Sequence, residues 1–505
     1  LRRYTQLGNM NQGSNENVYK CGGLTINDDT KEVFVDDEPI KLTPIEYNIL
    51  LLLTKNAGKV FSIDEIYKQI IADLEEAVDY VDWPGEGVRT GTVTRVNKAF
   101  AYGLLARVCL SAAGYAQRPD EGRIGTGDIG SNRRSKLVEA GQEWGDNTLY
   151  TKALDACKAV IAKENVCVKL EGSFEEIWRD MMKRQVSAGG ETLFVIPFAD
   201  NRGQWMNNYA IRHATADKYC GKAGAGGTIG PVPTLFYEYD KADRRRDVTC
   251  IPYRWNGGKQ ELENVQKWYC GKYRYEWMND VISGNDCGIK PILMRYADVL
   301  LMAAEAANEL NDLPYAKEQL RKVRYRAFKS NDAVDKYLEG IGSKGAMFKA
   351  IYRERMLEFS CEQIRKQDLI RWGLLKKSLD DVKGKMKAML DHTTYTSELT
   401  DKTYDFSLVG TKVYYKYDAD GETIQLHGLD FGEAGEPDGE GWTLYTSKKT
   451  DGTLEEEYIK SGTTSTGRID MIYQYDPDVH MFWPIFKQSI TTNSLLANDY
   501  GYPVR

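Results

Sequence analysis

The chain has 505 residues, which is more than one ordinary hydrophobic core supports, so its length predicts two or more domains. Hydrophobic residues make up 42% and charged residues 28%, as in globular proteins. The net charge of -7 argues against a general binder of nucleic acid or anionic membrane, because both need a basic surface. The 32 tyrosines and 10 tryptophans either suit flat ligands or pack at the edge of a core.

The sequence carries no pattern of metal ligands, and we expect no cofactor. The nine cysteines form no C-x-x-C pair, and the four histidines lie far apart without metal-ligand spacing. Residues 418–422 (DADGE) match a calcium loop only weakly, so a structural calcium is not indicated and a hairpin turn explains them better. No apolar run reaches 18 residues. LRRYTQLGNM lacks the apolar core of a signal peptide, so we expect no export signal in the chain as given.

The first seventy residues predict a small α+β unit. Apolar and polar residues alternate over 18–43, with turn signals at residues 27–29 and 36–37, which is typical of an antiparallel meander. Capping boxes at Thr43–Glu46 and Ser62–Glu65 open two helices. The segment LTPIEYNILLLLTKNAGKVFSIDEIYKQI contains both of these helices, so the predicted order is a meander followed by two helices. Residues 24–70 resemble the winged-helix effector domain of OmpR/PhoB-type response regulators.

This resemblance ends after Ile70. Where the family has a basic recognition helix and a hairpin wing, this chain reads ADLEEAVDYVDWPGEG, which is acidic and would repel phosphates. We therefore predict that residues 1–70 are a truncated winged-helix fragment and expect no nucleic-acid partner. A DNA-binding transcriptional response regulator remains the alternative function, from this fragment only.

The rest of the chain predicts paired helices. Ile66, Ile70, Leu74 and Ala77 share one helical face, and NKAFAYGLLARVCLSAA and MRYADVLLMAAEAANEL are rich in small residues. Short Ala-rich pairs of this kind favour tetratricopeptide-like stacking. The predicted fold class is mainly α, with tetratricopeptide-like helical pairs and a loop-rich, partly β subdomain, plus the incomplete α+β winged-helix fragment. We expect helices over 66–163 and 291–379, with the loop-rich region between them.

Several motifs then occur in one order: FEEIWRD, GGETLFVIPF, GKYRYEW, IYRERMLEFSCEQIRKQDLIRWG and the closing NDYGYPV. With these motifs, residues 66–504 resemble the SusD/RagB family. The resemblance implies a non-catalytic glycan-binding lipoprotein of the outer membrane, exposed at the cell surface, which delivers oligosaccharides or polysaccharides to a SusC-like TonB-dependent transporter. The family also begins with a lipidated cysteine and a long N-terminal segment. The winged-helix piece stands in their place here, so we predict a SusD-like domain over 71–505 that lacks its N-terminal segment.

Both resemblances meet in one amphipathic helix, FSIDEIYKQIIADLEEAVDYV, at residues 61–81. The string EIYKQI completes the regulator's second helix and also starts the first helix of the lipoprotein segment. We interpret the chain as a chimera, joined by recombination or by an assembly or cloning error. A selected fusion would place half of a cytoplasmic DNA-binding domain on a surface protein.

No catalytic residues are predicted. Glu354 and Glu358 neighbour Arg353 and Arg355 in RERMLEF, which favours structural ion pairs over acid–base catalysis. A glycosidase would need two carboxylates facing each other across a sugar, and neither glutamate has a distinctive context for that role.

Aromatic loops are the candidate binding residues, because a sugar ring lies on an aromatic face while its hydroxyl groups need amide and guanidinium partners. Trp205 and Trp255 are the leading candidates. The alternative is that these rings pack a loop-rich subdomain onto the helices. The insertion from Leu390 to Tyr475 is a second region that would shape specificity. The full predicted glycan-binding set is Arg202, Trp205, Asn207, Tyr209, Tyr253, Trp255 and Trp268.

Overall fold

The computed structural model describes residues 17–42, 47, 50–51, 54–55, 63–117, 132–134, 147–200, 202–449, 451–459 and 466–492. The start of the helix predicted from Thr43 and the closing NDYGYPV motif lie outside these residues. The chain divides into two compact units, residues 1–66 with 484–505, and residues 67–483. The predicted domain boundary at residue 70 stays a prediction.

The smaller unit contains the predicted meander. Its strands are β1 Val18–Cys21, β2 Leu24–Asn27, β3 Glu32–Val35 and β4 Glu38–Ile40, which pair antiparallel in chain order. Asp36 and Asp37 form the last turn with φ of 50° and 65°, a conformation that aspartate tolerates better than most residues. Ile26, Val33 and Tyr47 form a small apolar core. The small β region predicted at the N-terminus is therefore confirmed.

Helices dominate the remainder of the described chain, and none of those described is long and apolar enough to cross a membrane. The longer helices are α1 Ile63–Tyr80, α2 Lys98–Ala113, α3 Thr148–Ile161, α4 Phe174–Met182, α8 Tyr296–Glu309, α9 Leu313–Ala327, α10 Asn331–Glu339, α11 Lys344–Phe359 and α13 Leu375–Leu390. The shorter ones are α5 Trp205–Tyr209, α6 Thr234–Glu238, α7 Arg246–Thr249, α12 Arg365–Arg371, α14 Thr466–Asp470 and α15 Lys487–Thr492.

Helix α8 is the centre of the helical layer. It packs against α2, α3, α9 and α11, and all of its residues from Tyr296 to Asn308 are buried. A helix surrounded in this way must be apolar or small on every side, which its alanine-rich sequence provides. At Gly103 of α2, a β-carbon would lie 2.3 Å from the Met294 sulfur, so the glycine permits this close packing. The helical fold class is confirmed.

Short antiparallel strand pairs make up the loop-rich regions. Their bounds are β5 Tyr115–Gln117, β6 Asn132–Arg134, β7 Thr192–Val195, β8 Cys250–Ile251, β9 Tyr253–Asn256, β10 Lys259–Leu262, β11 Tyr269–Cys270, β12 Ile292–Arg295, β13 Thr394–Thr396, β14 Thr403–Asp405, β15 Tyr414–Tyr417, β16 Ile424–His427, β17 Thr443–Leu444, β18 Ser447–Lys448 and β19 Leu454–Glu455. The pairs are β5–β6, β7–β12, β8–β11, β9–β10, β13–β14 and β18–β19, and β15 joins β16 to β17.

A buried charge network ties the loop-rich region to the helices. Glu358 on α11 accepts hydrogen bonds from Arg245 at 2.9 Å, from Arg295 at 2.8 Å and from Arg326. The side chains of Glu358, Arg245 and Arg295 are 0% exposed. Arg295 also binds Glu191 at 2.5 Å. A buried carboxylate is tolerated only when it is paired and hydrogen-bonded, and here three guanidinium groups satisfy it.

Glu354 and Glu358 are structural, as predicted, but their partners differ from those predicted. Glu354 binds Arg245 and Arg324, each at 2.7 Å. Arg353 and Arg355 are each adjacent to Glu354 in the sequence, so their side chains leave the helix in other directions than that glutamate. Arg355 is three residues from Glu358, a spacing that allows a pair, but it binds other carboxylates. Arg355 instead binds Asp298 at 2.7 Å and Asp368 at 2.8 Å.

Replacing Glu358 with alanine should destabilise the protein by about 3–5 kcal/mol, because it leaves buried arginines without their partner. The matched control is Glu339→Ala on the exposed side of α10, which should change stability by less than about 0.5 kcal/mol. Urea unfolding followed by circular dichroism measures both. Equal effects of the two substitutions would show that the network contributes no stability.

The same network predicts acid sensitivity. Burial alone would raise the pKa of the Glu358 carboxyl, but Arg326, Arg295 and Arg245 outweigh burial and hold that pKa well below 4.5. The unfolded state therefore binds more protons in acid than the folded state. The contribution of this carboxylate is complete above about pH 5 and is lost as the pH falls below about 4.3. Urea unfolding at pH 7, 5, 4 and 3 should show this fall, and equal midpoints at all four values would contradict it.

Candidate functional site

Trp205 and Tyr209 form a stacked ring pair on helix α5. They are four residues apart, so both rings project from one side of the helix. Their ring centroids are 4.5 Å apart and their planes differ by 15°. Both rings are half-buried and rest on the buried Tyr273, at 6.1 Å and 5.8 Å between centroids. The ring pair is therefore an aromatic surface with a fixed support and an accessible part.

Backbone contacts fix the approach to this helix. Gly203 precedes it with φ of +86°, and a β-carbon there would lie 2.9 Å from the Phe198 ring, so only glycine fits without a shift. The carbonyl groups of Arg202 and Gly203 accept hydrogen bonds from the amides of Gly288 at 2.9 Å and Cys287 at 3.0 Å. The ring pair is thus held by a segment more than eighty residues away in the chain.

Several polar groups belong to the segment of the ring pair or bind to it. The Tyr209 hydroxyl accepts a hydrogen bond from the Gln363 amide at 2.8 Å, and burial raises the pKa of that hydroxyl, so it stays neutral. Asn207 is half-buried, and its Oδ1 accepts from Lys222 at 3.4 Å. Arg202 is exposed. The structure therefore places four predicted site residues, Arg202, Trp205, Asn207 and Tyr209, on one segment.

Trp255 lies in a different environment. It is 2% exposed in strand β9, where it contacts Tyr219 at 4.8 Å and stacks with His213 at 6.1 Å between centroids. Its backbone amide donates to the Arg212 carbonyl at 2.9 Å. The ring offers no open face to a ligand in this arrangement, which favours the alternative that it packs the loop-rich region.

Trp268 and Tyr253 lie outside the segment that carries the ring pair. Trp268 is 3% exposed, and its Nε1 donates to the Tyr458 hydroxyl at 3.1 Å. Tyr253 is half-buried and lines a cavity of about 280 Å³ together with Arg246 and Asp430. The seven predicted residues therefore divide into the segment 202–209 and three rings elsewhere. Their part in binding stays a prediction.

Trp483 and Trp442 also have accessible surface, and the sequence analysis did not name them. Trp483 is 87% exposed, with the Lys366 ammonium 5.0 Å from its ring centre. Trp442 is half-buried in the 390–475 insertion, with the Lys416 ammonium 4.9 Å from its ring centre. The available signals were the proline that follows Trp483 and the glycine that precedes Trp442, since both mark irregular backbone.

The carboxylates of the RERMLEF motif are unavailable for chemistry on a substrate. Glu354 and Glu358 are fully buried and each is bound by at least two arginines. In the part of the chain that the structure describes, no group of three or more His, Cys, Asp or Glu side chains is arranged to hold a metal ion.

Comparison with protein families decides the classification. The model of the SusD family matches residues 245–502, slightly more than half of the chain. The chain belongs to the SusD family. The family resemblance stated from the sequence motifs is therefore confirmed. The crystal structure of a SusD homolog from Bacteroides thetaiotaomicron VPI-5482 covers 87% of this chain and 70% of that chain, with a TM-score of 0.58 and 17% identity, and it shows the same fold.

Curated relatives match short parts of this SusD-family chain. SusD-like protein P25 of Formosa agariphila is 44% identical over 91 residues, which are 18% of this chain and 17% of that protein. Regulatory protein VanR of Enterococcus faecium is 37% identical over 73 residues, which are 14% of this chain and 31% of VanR. The matched parts are less than one third of each relative. A short N-terminal segment is thus similar to response regulators, as the sequence indicated.

The burial of Trp255 leads to a stability prediction. Trp255→Ala should destabilise the protein by about 3–5 kcal/mol, because it opens a cavity among Tyr219, His213 and Tyr253. Trp205→Ala removes a half-buried ring and should lower the free energy of unfolding by clearly less than Trp255→Ala does. Urea unfolding of both variants compares the two sites, and a larger loss for Trp205→Ala would contradict the assignment of Trp255 to the core.

Proposed function

We propose that the protein binds oligosaccharides or polysaccharides without catalysis, through the ring pair Trp205 and Tyr209. The observation that carries the proposal is the half-exposed stacked geometry of these rings, 4.5 Å apart, on the buried support of Tyr273. A pyranose presents a C–H face that fits such a surface. Family membership supports the same ligand class, since the SusD resemblance implies glycan binding.

Two polar side chains can form hydrogen bonds with the hydroxyl groups of a sugar. Asn207 supplies both an amide donor and an amide acceptor, and the exposed Arg202 supplies guanidinium donors. Both lie on the segment that carries the ring pair, so one short stretch of chain would contact the face and the hydroxyl groups of a sugar. In this proposal the glycan-binding domain comprises residues 71–505.

The proposal includes a partner and a location. We propose that the bound glycan passes to a SusC-like TonB-dependent transporter at the outer membrane, with this chain at the cell surface. The support is family membership, because the SusD resemblance implies this partnership. Co-purification with a SusC-like transporter from the same organism tests it, and failure of the two proteins to associate in detergent would contradict it.

The regulator alternative is not favoured. The similarity to VanR covers 14% of the chain. Helix α1 carries Asp64, Glu65, Asp73, Glu75, Glu76 and Asp79. Such a helix cannot neutralise DNA phosphates, which is the main source of affinity in DNA binding. No nucleic-acid partner is proposed.

Trp205→Ala and Tyr209→Ala should each weaken glycan binding by about 1 kcal/mol, or about fivefold in Kd, because each removes one stacked ring. The measurement is isothermal titration calorimetry with a panel of plant and host glycans, starting from those that the unaltered protein binds.

Trp483→Ala is the matched control, because it removes an exposed ring that lies outside the segment 202–209. It should leave Kd unchanged. If both ring-pair variants bind like the unaltered protein, the ring pair is not the site. A loss of binding in a Trp442→Ala variant would then assign the site to the 390–475 insertion.

A further inference from the structure

A cavity of about 340 Å³ lies beside the segment that carries the ring pair. Its lining includes Val265, Trp268, Met386 and Met389, which are apolar, and Gln266 and Thr228, which are polar. The volume falls at the lower end of the range for small-molecule sites, and a mixed lining with a few polar groups is typical of them. The cavity fits a ligand the size of one or two sugar rings.

Two cations line the same cavity. Lys267 and Arg468 are both exposed, and both contribute to its lining. Among the described residues, neither side chain forms an ion pair or a hydrogen bond. Lys385 and Arg246, by contrast, are paired, since Lys385 binds Glu238 and Asp381, and Arg246 binds Asp247 and Asp430. Two uncompensated positive charges beside an apolar wall attract an anion more strongly than isolated surface cations do.

The wall of the cavity is fixed before any ligand arrives. At Gly230 a β-carbon would lie 1.9 Å from the Trp268 carbonyl oxygen, so this approach requires glycine. The amides of Thr228 and Ile229 donate to the Asn208 carbonyl at 3.1 Å and 2.9 Å. Asn208 belongs to α5, so the loop that lines the cavity is bonded directly to the helix of the ring pair. A preformed wall lowers the ordering cost of binding.

We propose that this cavity binds an acidic sugar, one that carries a carboxylate or a sulfate ester, with Lys267 and Arg468 holding the anionic group. The choice of a sugar rests on the proposed glycan function, and the choice of an acidic one rests on the two cations. Met386 and Met389 contact the C–H face of the sugar, and the Gln266 amide serves its hydroxyl groups. Arg468 can bind either anion with two parallel hydrogen bonds.

The test uses monosaccharide probes, so that it is independent of polymer binding at the ring pair. Glucuronic acid, glucose 6-sulfate and glucose are titrated into the full chain at neutral pH, and binding is followed by ligand-observed and protein-observed NMR. We expect one or both acidic probes to bind at least tenfold more tightly than glucose. The two acidic probes distinguish a carboxylate ligand from a sulfated one.

Lys267→Gln and Arg468→Gln should each weaken binding of the acidic probe about tenfold and leave glucose unaffected, since a charged hydrogen bond contributes about this much. Lys329→Gln, at an exposed lysine outside the cavity, is the matched control and should change nothing. Circular dichroism checks that each variant is folded. The cavity proposal is overturned if the acidic probes bind no better than glucose, or if the control weakens them equally.

The two proposals fail separately. The cavity site alone would be refuted if binding of neutral oligosaccharides is weakened by Trp205→Ala and the protein binds the acidic probes no more tightly than glucose. The ring pair alone would be refuted if Lys267→Gln and Arg468→Gln weaken binding of the acidic probes, while Trp205→Ala leaves the binding of every glycan unchanged.

Discussion

The carboxylate of Glu358 is the interaction on which the arrangement of the larger unit depends. It lies in the interior and takes hydrogen bonds from Arg245, Arg295 and Arg326, which come from a loop, a strand end and helix α9. Burying this charge without all three partners would be costly in free energy, so the three segments that carry the arginines must all pack around it in the folded protein. Apolar packing alone would hold the helices with less positional precision, because hydrophobic contacts have no fixed direction. The network therefore fixes where the loop-rich region sits on the helices.

That constraint extends to the candidate site through Lys272. Its ammonium group donates to the Glu358 carbonyl at 3.0 Å and to Glu362 at 2.6 Å, and it lies 4.6 Å from the centre of the Trp178 ring. The next residue is Tyr273, whose ring contacts Trp178 and supports the ring pair. One lysine thus joins the charge network to the aromatic support. A binding surface on a loop gains rigidity from such a support, and rigidity reduces the entropy lost when a ligand binds.

Local sequence patterns predicted the helices well, but they could not predict which aromatic side chains of the loops are buried. Helix α8 could be predicted because the spacing of small and apolar residues along it reflects the helices that it packs against. Trp205 and Tyr209 were expected in a loop, but they lie on the short helix α5, because five residues are too few to show a helical period in the sequence. Trp255 could not be distinguished from them, because its burial depends on His213 and Tyr219, about forty residues away in the chain. The partners of Glu354 were missed for the same reason, since Arg245 lies 109 residues earlier.

Helix α1 shows why the two family signals can share one element. It spans Ile63–Tyr80 without a break, and it includes the string that both resemblances use. Amphipathic helices of this kind satisfy very different folds, because each fold asks only for an apolar stripe on one face and polar residues elsewhere. The boundary between the compact units falls inside this helix, after Ile66. A helix can therefore be continued by an unrelated sequence without a local penalty, whereas a junction inside the Glu358 network would separate charges that must be buried together.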